Sequence, residues 1–296
     1  MPELPEVQTI INDLNRKIKG DTIVGFWTDW EKTIKGKSAD EFTKKIIGRK
    51  VLEARRIGKN IFIDLSGGKT LYIHLKMTGH LLVKFSIFNF QFSKKSKTKI
   101  SKSKTYFKDK VNQYIHHIWK LKSGKTLEFS DLRKFGKIVL DDTEKISNLK
   151  EIKALGMDAM SVEFSFKKFQ EIISKKSNAK IGILLMEQNL IAGIGNIYRS
   201  EILYESGVMP ERKAGDLNSK EIKSIYGNIK KVLKKAIKYR GTSDSDYRDT
   251  DGAPGGFQKI MKVYNQEKKK CKKCGTIIKR MKLGQRSVFV CERCQN

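Results

Sequence analysis

The chain has 296 residues, 39% of them hydrophobic, with 62 Lys and Arg against 32 Asp and Glu, a formal charge of +30. That length suits two domains, each with its own core, and so large a basic excess points to a polyanionic partner, nucleic acid ahead of a membrane surface. There is no run of 18 apolar residues and the opening does not read as a signal peptide, so neither a membrane span nor export is expected and the cytoplasm is.

In chain order, the first feature is Met1-Pro2-Glu3-Leu4-Pro5-Glu6-Val7, which holds two of the four prolines, each followed by a glutamate. As a bare pattern this is a stiff leader, because proline fixes φ. Removal of Met1 before a small residue would make Pro2 the amino terminus. A terminal amine titrates at about 7.7–8.0 against about 10.4 for lysine. Far more of it is neutral, so it can attack a carbonyl carbon and form an iminium. Glu3, one residue away, could handle the protons such chemistry moves.

Residues 6–19 read as an amphipathic helix with Val7, Ile10, Ile11, Leu14 and Ile18 on one face, ended by Gly20. From 21 to 140 the pattern is mostly short strands, such as 61–65, 70–75 and 137–140. Turns are expected at Ser66-Gly67-Gly68-Lys69 and Ser123-Gly124-Lys125, which predicts a β-sandwich. Residues 94–104 carry six lysines in a polar insertion, either a solvated loop or an extra phosphate-contacting arm. Near 150–160 the pattern turns helical, with helices expected at 166–175, 181–188, 196–206 and 219–239. Between the second and third, Gly193 and Gly195 permit close backbone approach and Asn196 would cap the next helix. Backbone amides at such a helix start bind phosphate well, although an ordinary helix–helix turn has the same look. A Gly/Asp/Ser-rich loop, 241–256, follows.

All four cysteines lie after residue 270, as Cys271-x2-Cys274-x16-Cys291-x2-Cys294. In a reducing compartment such a cluster binds metal rather than forming disulfides. Two tight C-x2-C turns present four thiolates to one tetrahedral Zn²⁺, with no open position, so the zinc is expected to be structural. Lys279–Val290 between the pairs reads as a β-hairpin turning near Gly284, with basic residues at its tip. Taken alone, this is a zinc-ribbon DNA-binding module.

Six motifs in register resemble the formamidopyrimidine-DNA glycosylase/endonuclease VIII family: PELPEV at the start, RRIGKN (55–60), HLKMTG (74–79), SDLRKFG (130–136), AGIGNIYRSE (192–201) and the four-cysteine ribbon. The resemblance covers the chain apart from the insertion near 84–112. It implies an α+β protein: an N-terminal helix-fronted β-sandwich, then a C-terminal helix–two-turn–helix domain with a zinc-ribbon hairpin. The expected division is a catalytic domain over 1–150, the helix–two-turn–helix domain with a lesion-capping loop over 151–264, and the zinc finger over 265–296. The implied activity is excision of oxidised bases from duplex DNA followed by cleavage at the abasic site, by a monomer in the cytoplasm that associates with the nucleoid through DNA.

By position, the resemblance makes Pro2 the nucleophile, Glu3 the acid that assists sugar-ring opening and Glu6 its support. Lys59 matches a catalytic lysine that contacts phosphate and serves β-elimination. Arg286 matches the zinc-finger arginine assigned to phosphate grip and δ-elimination. Asn196 matches a phosphate-binding asparagine and His116 a DNA-contacting histidine, although a histidine packed on a strand is the plain reading of His116. Met77, Arg133 and Phe135 match the trio that fills the gap left by a flipped base; without the family, Met77 and Phe135 would be core residues. That trio favours the formamidopyrimidine branch. Gly182 stands where the family usually has a lysine, with Lys180 nearby, and Glu187 replaces an aspartate. Thr242–Tyr247 occupies the lesion-capping segment, where glycine and serine suit a mobile cover. The competing readings are an endonuclease VIII-like enzyme for oxidised pyrimidines and a non-catalytic zinc-ribbon DNA-binding protein. Pro2-Glu3 with Lys59 separates the enzymes from the latter, which needs no terminal amine.

Overall fold

The computed structural model describes residues 1–85, 106–244 and 246–296; the lysine-rich segment 94–104 lies outside them. The described chain forms two compact units, Met1–Pro2 with Glu6–Lys153 and Arg240–Gly256, and Glu3–Pro5 with Ala154–Tyr239 and Phe257–Asn296.

The first unit begins with α1 (Leu4–Ile18), whose first two residues are grouped with the second unit. There follow β1 (Ile23–Thr28), α2 (Ala39–Ile46), β2 (Val51–Ile57), β3 (Asn60–Leu65), β4 (Lys69–His74), β5 (His80–Phe85), β6 (Ile115–Leu121), β7 (Lys125–Ser130) and β8 (Lys137–Asp142), then the short helices α3 (Thr143–Ser147) and α4 (Lys150–Lys153). The strands form two four-stranded antiparallel sheets, ordered β1-β6-β7-β5 and β2-β3-β4-β8. Their inner faces share one core: Ile23, Trp119, Leu127 and Phe129 from one sheet, Ile61, Ile63, Leu71, Ile73 and Ile138 from the other. The five apolar residues of α1 named above join that core. At roughly 1.5–3 kcal/mol for each buried aliphatic side chain, this stripe outweighs anything the polar face contributes. This is the β-sandwich that the short strands predict, fronted by a helix as the family resemblance implies.

Within the stretch read as strands lies α2. Ser38 caps it by accepting from Glu41 N, and Phe42 and Ile46 bury. Eight residues give only one apolar i,i+4 pair, too little to stand out from a two-residue repeat.

The loop 240–256 was expected to belong with the helical domain, but its contacts lie with the sandwich unit. Buried Asp13 on α1 accepts from Arg240 and from Thr250 Oγ1 (2.9 Å), and Lys17 reaches Thr250 and Asp251. Tyr247 enters the sandwich core.

The second unit contains the two-residue parallel pair β9 (Met157–Asp158) and β10 (Ile191–Ala192), the helices α5 (Phe166–Lys175), α6 (Ile181–Leu184), α7 (Asn196–Ser206) and α8 (Ser219–Lys238), and the hairpin β11 (Lys279–Leu283) and β12 (Arg286–Val290). Helix α6 is shorter than the expected 181–188, because Met186 N and Glu187 N turn back to Ile183 O and Leu184 O. Helix α7 ends on Gly207 at φ 73°, and α8 starts with a capping box between Asn218 and Glu221. Leu184, Ile194, Tyr198, Ile202, Ile229 and Leu233 form its core together with Leu4.

Histidines held out of water make the sandwich sensitive to acid: burial pushes His74 and His80 down to about 4, and His117 with them. His117 sits among Phe26, Trp119 and Phe129, with ring centroids at 5.8–6.1 Å, and among the described residues neither ring nitrogen has a hydrogen-bond partner. Burial pushes its pKa down to about 4. Below about pH 6.5 the unfolded chain therefore binds a proton that the folded one refuses. The stabilisation is complete above that pH and is lost as pH falls towards about 4. Each pH unit in this window costs up to about 1.4 kcal/mol. The His117→Phe variant should be at least as stable as the parent protein at pH 8, where it loses two unpartnered buried nitrogens, and its advantage in melting temperature should widen by a few degrees at pH 5.5; equal pH slopes in the two melting series would refute this.

Candidate active site and nucleic-acid interface

Pro2 is buried, and Glu3, 3% exposed, is grouped with the second unit. The Glu3 carboxylate accepts from Gly195 N (2.8 Å), Ile197 N (2.9 Å) and Tyr198 N (3.4 Å) at the start of α7. A helix N-terminus leaves such donors unsatisfied and carries partial positive charge, so a carboxylate suits it. This corrects the expectation for Asn196. The N-cap is Gly195, with no capping side chain of its own, and Asn196 is the first residue of the helix proper. The amides expected to hold phosphate are taken by Glu3. Asn196 keeps its side chain for other use, and its Oδ1 accepts from Arg199 Nη2 at 2.5 Å.

Glu6, also buried, accepts from Thr242 N at 2.7 Å, and Tyr247 OH donates to Glu6 O at 3.4 Å. The segment expected to be a mobile lesion cover is thus tied to α1 at both ends.

Lys59 is 7% exposed and lies in the two-residue turn between β2 and β3, closed by the pair Ile57↔Asn60. Gly58 at φ 56° supplies the positive φ that a type II′ turn needs at its first central position. Asn60 fixes the turn by donating to Ile57 O (3.1 Å) and accepting from Tyr72 OH (2.9 Å).

Met77 and Phe135 are 44% and 52% exposed, which removes the core-packing reading. The structure brings the trio together. Arg133 Nη1 lies 3.0 Å from Met77 Sδ and its guanidinium 4.6 Å from the centre of the Phe135 ring. Buried Asp131 shapes both loops, accepting from Thr78 Oγ1, Gly136 N (2.7 Å) and Arg133 N (3.3 Å). A Cβ at Gly136 would come within 2.4 Å of Phe129, so the loop can lie this close only with glycine there. His116 is 7% exposed on β6, with Nδ1 2.7 Å from Asp29 Oδ1, the position of a packed strand histidine.

In the second unit the four cysteine sulfurs lie within 4.8 Å of one another, with Cys271–Cys294 at 3.9 Å and Cys274–Cys291 at 3.4 Å. A tetrahedron of thiolates about 2.3 Å from zinc has edges of about 3.8 Å, so the set fits Zn²⁺. Tyr204 OH, 3.1 Å from Cys271 Sγ, backs it. The hairpin turns at Gly284 as expected, which puts exposed Arg286 first in β12, opposite Leu283. Lys180 is an exposed N-cap residue of α6.

Comparison with known proteins follows the same order of parts. The chain matches the formamidopyrimidine-DNA glycosylase N-terminal domain over residues 1–138, the formamidopyrimidine-DNA glycosylase H2TH domain over 155–247, and the zinc finger found in FPG and IleRS over 268–296. The chain belongs to the formamidopyrimidine-DNA glycosylase family. It is 36% identical over 295 residues to the formamidopyrimidine-DNA glycosylase of Pelotomaculum thermopropionicum, covering 100% of this chain and 99% of that one. It is 31% identical over 300 residues to that of Ureaplasma parvum, covering all of both. Among solved structures, Lactococcus lactis Fpg with DNA containing an abasic site has a TM-score of 0.82 at 27% identity, and the same protein with DNA containing Fapy-dG has 0.81 at 28%; each comparison covers 99% of both chains. The family's helix–two-turn–helix domain and zinc finger are thus both present, and the ribbon holds one structural zinc. Among the described residues no helix is long and apolar enough to cross a membrane.

Three participants escape sequence reasoning. Asp131 and Arg199 stand in the sequence only as members of motifs, and Thr242 offers a backbone amide that no pattern marks. A signal for Arg199 does exist: it stands three residues after Asn196 on the same helix, a spacing at which two side chains can meet.

Because ribbon folding is coupled to the metal, Cys274→Ser should lose zinc and DNA affinity together, measured by metal analysis and duplex binding on one preparation. Full affinity in verified zinc-free protein would refute the coupling.

Proposed function

We propose that the protein is a bifunctional DNA glycosylase and abasic-site lyase of base excision repair, acting on oxidised purines such as formamidopyrimidine and 8-oxoguanine in duplex DNA. The observation that carries this reading is the seating of Glu3, next to Pro2, on the amides that begin α7, where Asn196 also stands. A ribbon that merely bound DNA would have no use for a carboxylate buried beside a terminal proline.

With Met1 removed, the Pro2 nitrogen attacks C1′ of the damaged nucleotide, the bond from C1′ to the base breaks with its electron pair leaving on the base, and the proton given up by the Pro2 nitrogen goes to the departing base. Glu3 delivers a proton to the ring oxygen as the sugar opens, leaving an iminium between Pro2 and C1′. Glu6 supports Glu3 and holds the loop at Thr242. The iminium draws electrons from the sugar and permits β- then δ-elimination, served by Lys59 and Arg286. Asn196, Arg286 and Lys180 hold phosphates of the lesion strand, and Asp29 leaves Nε2 of His116 for a DNA contact. Met77, Phe135 and Arg133 enter the gap: the first two replace lost stacking and Arg133 hydrogen-bonds the orphaned base. Their joint exposure supports this reading over the pyrimidine-directed alternative.

Borohydride should trap the protein on lesion or abasic duplexes, with peptide mapping placing the adduct on Pro2. Pro2→Gly, which keeps a terminal amine, should retain some activity and a blocked terminus none; an adduct on a lysine with Pro2 free would sink the mechanism. Cleavage of duplexes carrying formamidopyrimidine, 8-oxoguanine or thymine glycol gives the lesion preference, and faster cleavage at thymine glycol would favour the alternative.

Arg133→Ala should flatten the difference in cleavage rate between cytosine and adenine opposite 8-oxoguanine. An unchanged ratio would remove Arg133 from recognition of the orphaned base.

A further inference from the structure

Arg199 is fully buried, at 0% exposure, on a protein whose other cations are mostly at the surface. A buried guanidinium is costly unless its donors are matched. Here Nη1 donates to Gly182 O (3.2 Å), and Nη2 donates to Asn196 Oδ1 (2.5 Å) and Ser287 O (3.1 Å), while the buried Nε has no partner among the described residues. Gly182 and Ser287 are backbone anchors that hold the fork in place. The first is closed to any side chain: a Cβ there would lie 2.7 Å from Leu283 and from Pro210 Cβ, and 2.8 Å from Pro210 O. Asn196 is the one half-buried residue in a run of buried neighbours, and among the described residues its Nδ2 has no acceptor.

We propose that Arg199 is a positioning residue for DNA binding: by occupying Asn196 Oδ1 it turns the Asn196 amide nitrogen outward as a fixed donor to a backbone phosphate. The geometry leaves one orientation. Arginine only donates, so the amide oxygen must face it and the NH₂ must face away. The same nitrogen also holds the carbonyl of Ser287, but that strand is fixed by its own ladder to β11, so the place of Arg286 does not depend on Arg199. Burial brings the guanidinium pKa down to about 10, with the Glu3 carboxylate opposing and the Arg286 charge reinforcing that shift. At neutral pH Arg199 stays charged, and its hydrogen bond to Asn196 is charge-assisted.

This inference rests on the reading of Asn196 as a phosphate ligand. The test is affinity for a duplex carrying a tetrahydrofuran abasic analogue, measured across a salt series. Arg199→Met, Asn196→Ala and the double variant are compared, with zinc content and melting temperature checked. Each single variant should bind roughly tenfold more weakly, and the double variant no more weakly than the worse single. The slope of log K against log salt should not change in Arg199→Met, because Arg199 itself meets no phosphate. Should Arg199→Met lose zinc or unfold, Arg199→Lys keeps the stem and the charge. It should still bind more weakly, because a single ammonium cannot serve three acceptors in a plane. Wild-type affinity in Asn196→Ala would remove the phosphate reading of Asn196 whatever Arg199 does. With Asn196→Ala weakened, three results would overturn the positioning role alone: full affinity in either Arg199 variant, additive losses in the double variant, or a slope flattened by about 0.9.

Discussion

The carboxylate of Glu3 on the first amides of α7 is the constraint on which the rest of the site depends. An α-helix begins with N–H groups that have no partner within the helix. Here those of Ile197 and Tyr198, with that of Gly195, are satisfied by a residue almost two hundred positions earlier in the sequence. The approach is so close that side chains are excluded: a Cβ at Gly195 would lie 2.4 Å from Glu3, and one at Gly193 would lie 2.5 Å from Leu4. The glycines do mark a close backbone approach, as the sequence suggests, but the approaching group is the start of the chain itself. The residue next to Pro2 is thereby fixed by several hydrogen bonds instead of being left on a fraying terminus.

With the helix amides spent on Glu3, any anion bound at this end of α7 would have to be held by side chains. Asn196 is turned outward by a buried arginine, which also donates to the carbonyl of Ser287. A fixed polar group loses less entropy on binding than a free one, so the order built into the protein strengthens any contact made there.

The trio at Met77, Arg133 and Phe135 obeys a different logic. Large apolar side chains left at the surface lose the stabilisation of burial, and here two of them flank a guanidinium on loops braced by buried Asp131. The bracing keeps the residues apart from the sandwich core, which is already filled by Phe129 and its neighbours. A surface of this kind gains its burial only when a partner covers it, which is what an unstacked gap in a duplex offers.

The sequence by itself determined the parts. The short apolar runs at 61–65 and 70–75, the apolar stripe of α1 and the cysteine spacing are local patterns, and each produced the expected element, because strand, helix and metal turn are set by neighbours within a few positions. The order of the motifs likewise carried the family. What the tertiary structure decided concerns groups far apart in sequence. That Glu3 caps α7, that Glu6 holds Thr242, that 240–256 joins the sandwich and that Arg199 lies buried under Asn196 all follow from long-range contacts. No local pattern encodes them: a glutamate, a threonine amide and an arginine read the same in sequence whether they face water or one another, and only the packed chain determines which.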